Sequence, residues 1–95
     1  MTKEQEIMNF LDERVFQPVL NSPTASKELK SGVNLTIARM NKHSAVKMIQ
    51  YYWSAIVGTE KSTRFARLMR EEGFTRFEET IDEFRDRFND RWLNN

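Results

Sequence analysis

The stretch that most constrains this chain runs from Ser44 to Val57. On a helical wheel Ala45, Val46, Met48, Ile49, Tyr52, Trp53, Ala55, Ile56 and Val57 cover more than half the circumference, and Lys47, Gln50, Tyr51 and Ser54 share the remaining stripe. An apolar arc this wide demands burial on several sides, so the stretch predicts a central helix, about 44–57, around which the rest packs. Trp53 and Ile49 lie at the middle of the arc and are expected to be almost completely buried. Ser44 suits the N-cap, where its hydroxyl accepts from a first-turn amide. Gly58 suits the left-handed position that ends a helix. No charge falls between Met48 and Thr59, yet the run is well short of the ~20 residues needed to cross a bilayer. A buried core helix is expected, and no membrane span.

The remaining helices follow from caps and periodicity. Thr2 and Gln5 form a capping box that opens a first helix over about 3–16, with Ile7, Leu11 and Val15 one turn apart. Pro18 disfavours helical geometry at Gln17, so this helix is predicted to stop near Phe16, with Val19 and Leu20 anchoring the connection. Ser22 and Pro23 read as N-cap and first helical residue of a second helix, about 23–41. Its inner face is Ala25, Leu29, Val33, Thr36, Ile37 and Met40. Gly32 lies inside it, at a cost of about 1 kcal/mol relative to Ala, and leaves open a break there.

After the central stretch, Thr59 can cap a shorter helix, about 60–72, anchored by Phe65, Leu68 and Met69 and ended by Gly73. Arg64, Arg67 and Arg70 face mostly outward. Thr75 and Glu78 form a second capping box, opening a last helix over about 76–92. There Phe77, Ile81, Phe84, Phe88 and Trp92 recur at helical spacing, flanked by the expected pairs Glu83–Arg87 and Asp82–Arg85. Tyr51, Tyr52 and Trp53 are strand-favouring types, but the helical period around them outweighs this, and nothing reads as a strand. There is no repeat, linker or low-complexity segment. The fold class is therefore all-α: one domain, 1–95, built as a small bundle of four to five short helices around a central apolar helix.

Composition narrows function mainly by exclusion. The chain has no Cys and one His, which leaves no disulfide framework and no thiolate zinc site and fits a reducing, cytoplasmic setting. The polar N-terminus does not resemble a secretion signal. His43 falls in a predicted turn without partners for a triad or a metal. No serine sits in a G-x-S-x-G context. Asp82, Asp86 and Asp90 share one helix face, but Arg85, Arg87 and Arg91 interleave with them, as on a salt-bridged solvent face rather than a cation site. No catalytic residue, metal or cofactor is expected.

Two surfaces remain as candidates. The first is the aromatic stripe of the last helix. Its second half extends past the shorter helix before it, so Phe88 and Trp92 are expected to lack an intramolecular cover, and Phe84, Phe88, Trp92 and Leu93 are the candidate interface residues. Uncovered aromatics on a small protein mark an interface. The expected function is a non-catalytic interaction or accessory module that self-associates as a homodimer or binds another protein. The second surface is basic. Residues 23–59 hold Lys27, Lys30, Arg39, Lys42 and Lys47 against Glu28 alone. With Tyr51 as a stacking ring, they offer an alternative: a nucleic-acid-binding accessory domain using 27–47. Five cations over that length are sparse for such a domain.

Overall fold

A computed structural model describes residues 1–52, 64–74 and 77–94, the side chains of 64–66 and 77–78 excepted. Helices make up every regular element among the described residues: α1 (Lys3–Leu11), a π-helical turn (Asp12–Phe16), α2 (Gln17–Leu20), α3 (Lys27–Met40), α4 (Ala45–Tyr52), α5 (Arg64–Glu71), α6 (Phe77–Arg87) and α7 (Asp90–Leu93). The all-α class is as expected. None of these helices is long and apolar enough to cross a membrane. Trp53, Ala55, Ile56, Val57, Gly58, Thr59 and Thr75 lie outside the described residues, and with them the expected burial of Trp53.

The first helix opens as its sequence predicts. Thr2 Oγ1 accepts from the Gln5 amide at 3.1 Å, and Gln5 Oε1 accepts from the Thr2 amide at 2.9 Å. It does not stop near Phe16. Gln17 keeps right-handed helical geometry, φ −65° and ψ −39°, and its amide reaches back five residues to the Asp12 carbonyl. The wider π turn brings the chain to Pro18 at the beginning of a fresh α segment, where the missing N–H costs least. Helical backbone therefore continues to Leu20. This N-terminal run buries Ile7, Phe10, Leu11, Val15, Phe16 and Val19, the largest share of the core contributed by any continuous stretch among the described residues.

The second expected helix starts four residues late. Ser22 and Thr24 form a small turn through the Ser22 hydroxyl, and Ser26 rather than Ser22 is the N-cap, accepting from the Leu29 amide at 3.1 Å. The reason is non-local. Glu72, just after α5, accepts from the Ser26 amide and from its hydroxyl, both at 2.6 Å. Gly32 does not break α3, and Thr36 Oγ1 donates to its carbonyl at 2.8 Å.

The described part of the central stretch, α4, begins at its predicted cap. The Ser44 carbonyl accepts from Met48 at 2.8 Å, and its hydroxyl lies 3.4 Å from the Lys47 amide. Glu4 of α1 accepts from the Ala45 amide at 3.0 Å. Ala45, Met48 and Tyr52 are buried, but Ile49 is only partly so and Val46 is 48 % exposed. Near-complete burial of Ile49 is thus not observed; its side of the arc meets solvent as well as core.

Gly73 ends α5 at φ 90°. The Phe74 amide donates to Met69 O at 2.8 Å and the Gly73 amide to Arg70 O at 3.2 Å, the paired bonds of a Schellman motif.

The last helix is not continuous over 76–92. The α6 ladder finishes with Phe88 N–H on Phe84 O at 2.8 Å. Asn89 is extended, φ −110° and ψ −178°, and caps α7 by accepting from the Trp92 amide at 3.0 Å. Its Nδ2 donates to the Asp86 carbonyl at 2.8 Å. One amide side chain thus satisfies a loose end of both helices, which offsets the cost of cutting the ladder.

Candidate functional site

The turned C-terminal end is built on a file of rings. Phe84 is fully buried against Tyr52 (ring centroids 4.4 Å apart) and Phe10 (6.0 Å). Phe88 follows at 4.9 Å from Phe84 and meets Phe10 nearly edge-on at 5.4 Å. Trp92 then stands edge-on to Phe88 at 4.8 Å. The expectation that Phe88 lacks an intramolecular cover does not hold. Phe88 is only 2 % exposed, because Phe10 and the Arg87 guanidinium, 5.4 Å from its ring, close over it. Arg87 is therefore spent on rings, and Glu83 pairs not with Arg87 but with Arg14 of the first helix, at 2.7 Å. Both partners are half exposed, so that pair contributes at most about 1 kcal/mol.

Of the four aromatic-stripe candidates, Phe84 and Phe88 are core, and Trp92 and Leu93 remain partly exposed at the rim. What seats them is Lys3. Its ammonium donates to the Trp92 carbonyl at 2.9 Å and to the Leu93 carbonyl, and lies 5.3 Å from the Trp92 ring centre. A cation on the last carbonyls of a helix satisfies acceptors that have no partner within it. Sequence reasoning missed Lys3 altogether, since its partners lie at the opposite end of the chain. Asn89 could have been found: Asn followed by Asp90 is an N-cap signature.

The basic candidates divide. Lys27 and Lys30 stand at the start of α3, the former exposed and the latter partly covered. Arg39 is in its last turn, about 18 Å along the axis from Lys27 at ~1.5 Å per residue. Arg39, Lys42 and Lys47 are all exposed around the α3–α4 corner. Lys42 N–H bonds Arg39 O at 3.2 Å, which draws these two together. Lys47 and Tyr51 lie one turn apart on α4, and the Tyr51 ring rests 5.6 Å from His43 at a 48° tilt. Three of the five cations thus lie, exposed, on the α3–α4 corner that also carries His43 and Tyr51, and two lie at the start of α3.

Other groups with chemical interest are few. The Ser26 bonds hold the Glu72 carboxyl below the usual carboxylate range. Burial pushes the Tyr52 phenol up, and its hydroxyl has no partner among the described residues. Asp82, Asp86 and Asp90 are exposed, and the break at Asn89 takes Asp90 off the helix that carries the other two. No three acidic or histidine side chains gather to hold a metal among the described residues. A mainly apolar cleft of about 340 Å³ lies between the Val15–Val19 stretch and the Met69–Phe74 turn, with Arg14 at its edge.

Comparison of the chain with protein-family models, with curated proteins and with solved structures finds no match.

Proposed function

We propose that this chain is a small non-catalytic helical module that acts by binding protein, and that it pairs with a second copy of itself. One observation supports this reading: α7 carries a tryptophan and a leucine, both partly exposed, on a four-residue helix at the rim of the aromatic file. Aromatics left at a rim beside a packed core are where small proteins gain binding energy. The cysteine-free sequence fits a reducing compartment, and we take the protein to be cytoplasmic. Sedimentation from low to high micromolar concentration tests the pairing. The parent is expected to dimerise. Trp92→Ser is expected to be monomeric with its helical circular dichroism retained. A parent that stays monomeric at high micromolar concentration overturns the reading.

A second reading rests on the α3–α4 corner, which carries Arg39, Lys42 and Lys47, all exposed, together with His43 and Tyr51. Such a corner suits a nucleic-acid strand, phosphates on the cations and a base against the ring. Binding would then weaken steeply with salt. Changing Arg39, Lys42 and Lys47 to Gln should abolish it, whereas Lys27→Gln/Lys30→Gln should leave most of it. Equal losses from the two sets, or no salt-sensitive binding by the parent, discard this reading.

A further inference from the structure

The junction between α6 and α7 is a local backbone choice. Phe84, Phe88 and Trp92 are spaced for one continuous helix, and the α6 ladder is intact up to the Phe88 amide. Asn89 then turns to ψ −178°, roughly 135° from the helical value. A rotation confined to Phe88–Asn89 separates the bent form from a straight helix that keeps the same aromatic stripe.

The contacts that hold the bent form among the described residues fall into two sets. Within the segment they are the two Asn89 side-chain bonds and the edge-on Phe88–Trp92 pair. From the rest of the chain they are the Lys3 ammonium on the Trp92 and Leu93 carbonyls, its position over the indole, and the packing of Trp92 and Leu93 against the buried core. All of the Lys3 contacts are made to groups that α7 carries by itself, so an α7 from another copy would satisfy them equally.

We propose that α7 is an exchangeable arm. In the dimer Phe88–Asn89 straightens, and Asp90–Leu93 of each copy seats on Lys3 of the other. The partner is a second copy because the seat already matches α7: an ammonium for helix-terminal carbonyls and a cation face for an indole. Exchange of an identical element needs no new surface and is a low-cost route to a two-fold dimer. This inference rests on the self-association reading above and adds its mechanism.

The test mixes equal amounts of Thr2→Cys copies and Asn94→Cys copies, both substitutions being at exposed positions that flank the Lys3–Leu93 contact. Mild oxidation and a denaturing gel follow, with sedimentation in parallel. Exchange predicts a disulfide-linked dimer that joins one Thr2→Cys copy to one Asn94→Cys copy. Its share should rise with concentration together with the sedimenting dimer. In the otherwise native chain, Asn89→Ala removes the cap of the bent form and should tighten the dimer about tenfold or more. A sedimenting dimer without that mixed disulfide, or one unchanged by Asn89→Ala, overturns the exchange and leaves self-association standing. Absence of a dimer in the parent at high micromolar concentration overturns both.

Discussion

Helical backbone runs from Lys3 to Leu20 through a proline, whereas between Phe77 and Leu93 it is cut at Asn89, where there is neither proline nor glycine. In the first region the ladder widens instead of ending. The Gln17 amide takes the Asp12 carbonyl, and Val15, Phe16 and Val19 all stay buried. In the second region the ladder ends because a side chain offers better local terms. Asn89 serves the Trp92 amide and the Asp86 carbonyl, and Lys3 serves the carbonyls beyond. Helix boundaries here are decided by where backbone polar groups find partners and by what the flanking apolar residues must bury. The identity of one residue is a weaker influence than either.

The largest expected effect tests the joint between the two regions. Phe84 is fully buried and touches the rings of Phe10, Tyr52 and Phe88. Phe84→Ala should cost about 3–5 kcal/mol in urea unfolding. A loss below about 1 kcal/mol would mean that the two end regions do not share one core.

Pro18→Ala sharpens the contrast itself. In a regular helix interior, removing a proline should gain about 3 kcal/mol. At the exit of a π turn the proline is already accommodated, and its loss frees the unfolded chain. The expected change in unfolding free energy is therefore within about 1 kcal/mol of zero. A gain near that larger figure would show that the proline is strained, and that the wide turn is its consequence rather than its accommodation.

The smallest effect concerns the third boundary set by a side chain, at Ser26. Glu72 has a lowered pKa in the folded chain, so its bonds stabilise fully above the ordinary glutamate value of about 4.3. That contribution is lost as pH falls through the folded value. Thermal midpoints measured from about pH 6 to about pH 3 should drop, and Glu72→Gln should flatten part of that slope. An unchanged slope would remove Glu72 as the reason α3 starts at Ser26.

Most of the helices were legible because their signals are local. The Thr2–Gln5 box, the Ser44 cap and the Gly73 stop need only neighbouring residues, and each has its expected bonds or geometry. Two of the misread features depend on distant partners, whereas the break at Asn89 and the continuation past Phe16 are local. Ser22 and Ser26 are equivalent as caps until Glu72 arrives from 46 residues away. Phe88 reads as uncovered until Phe10 is placed on it. At the candidate site the residue types could be read from the sequence and their grouping could not. Nothing in the spacing of the five cations separates Lys27 and Lys30 from the three at the corner; that follows from where α3 ends and the chain turns.

The bond from Lys3 to Leu93 has a topological consequence. It brings the first helical residue and the last within one lysine side chain of each other, so the backbone path is almost a closed loop. A linker of about three to five residues, each spanning up to ~3.5 Å, should join the two ends without disturbing either helix. New ends could then be opened in the exposed turn at Pro23–Thr24, giving a circular permutant with the same ring file. Because Lys3 and Leu93 already lie together, closure would remove freedom mainly from the unfolded chain, and the closed form should unfold at higher temperature than the open one.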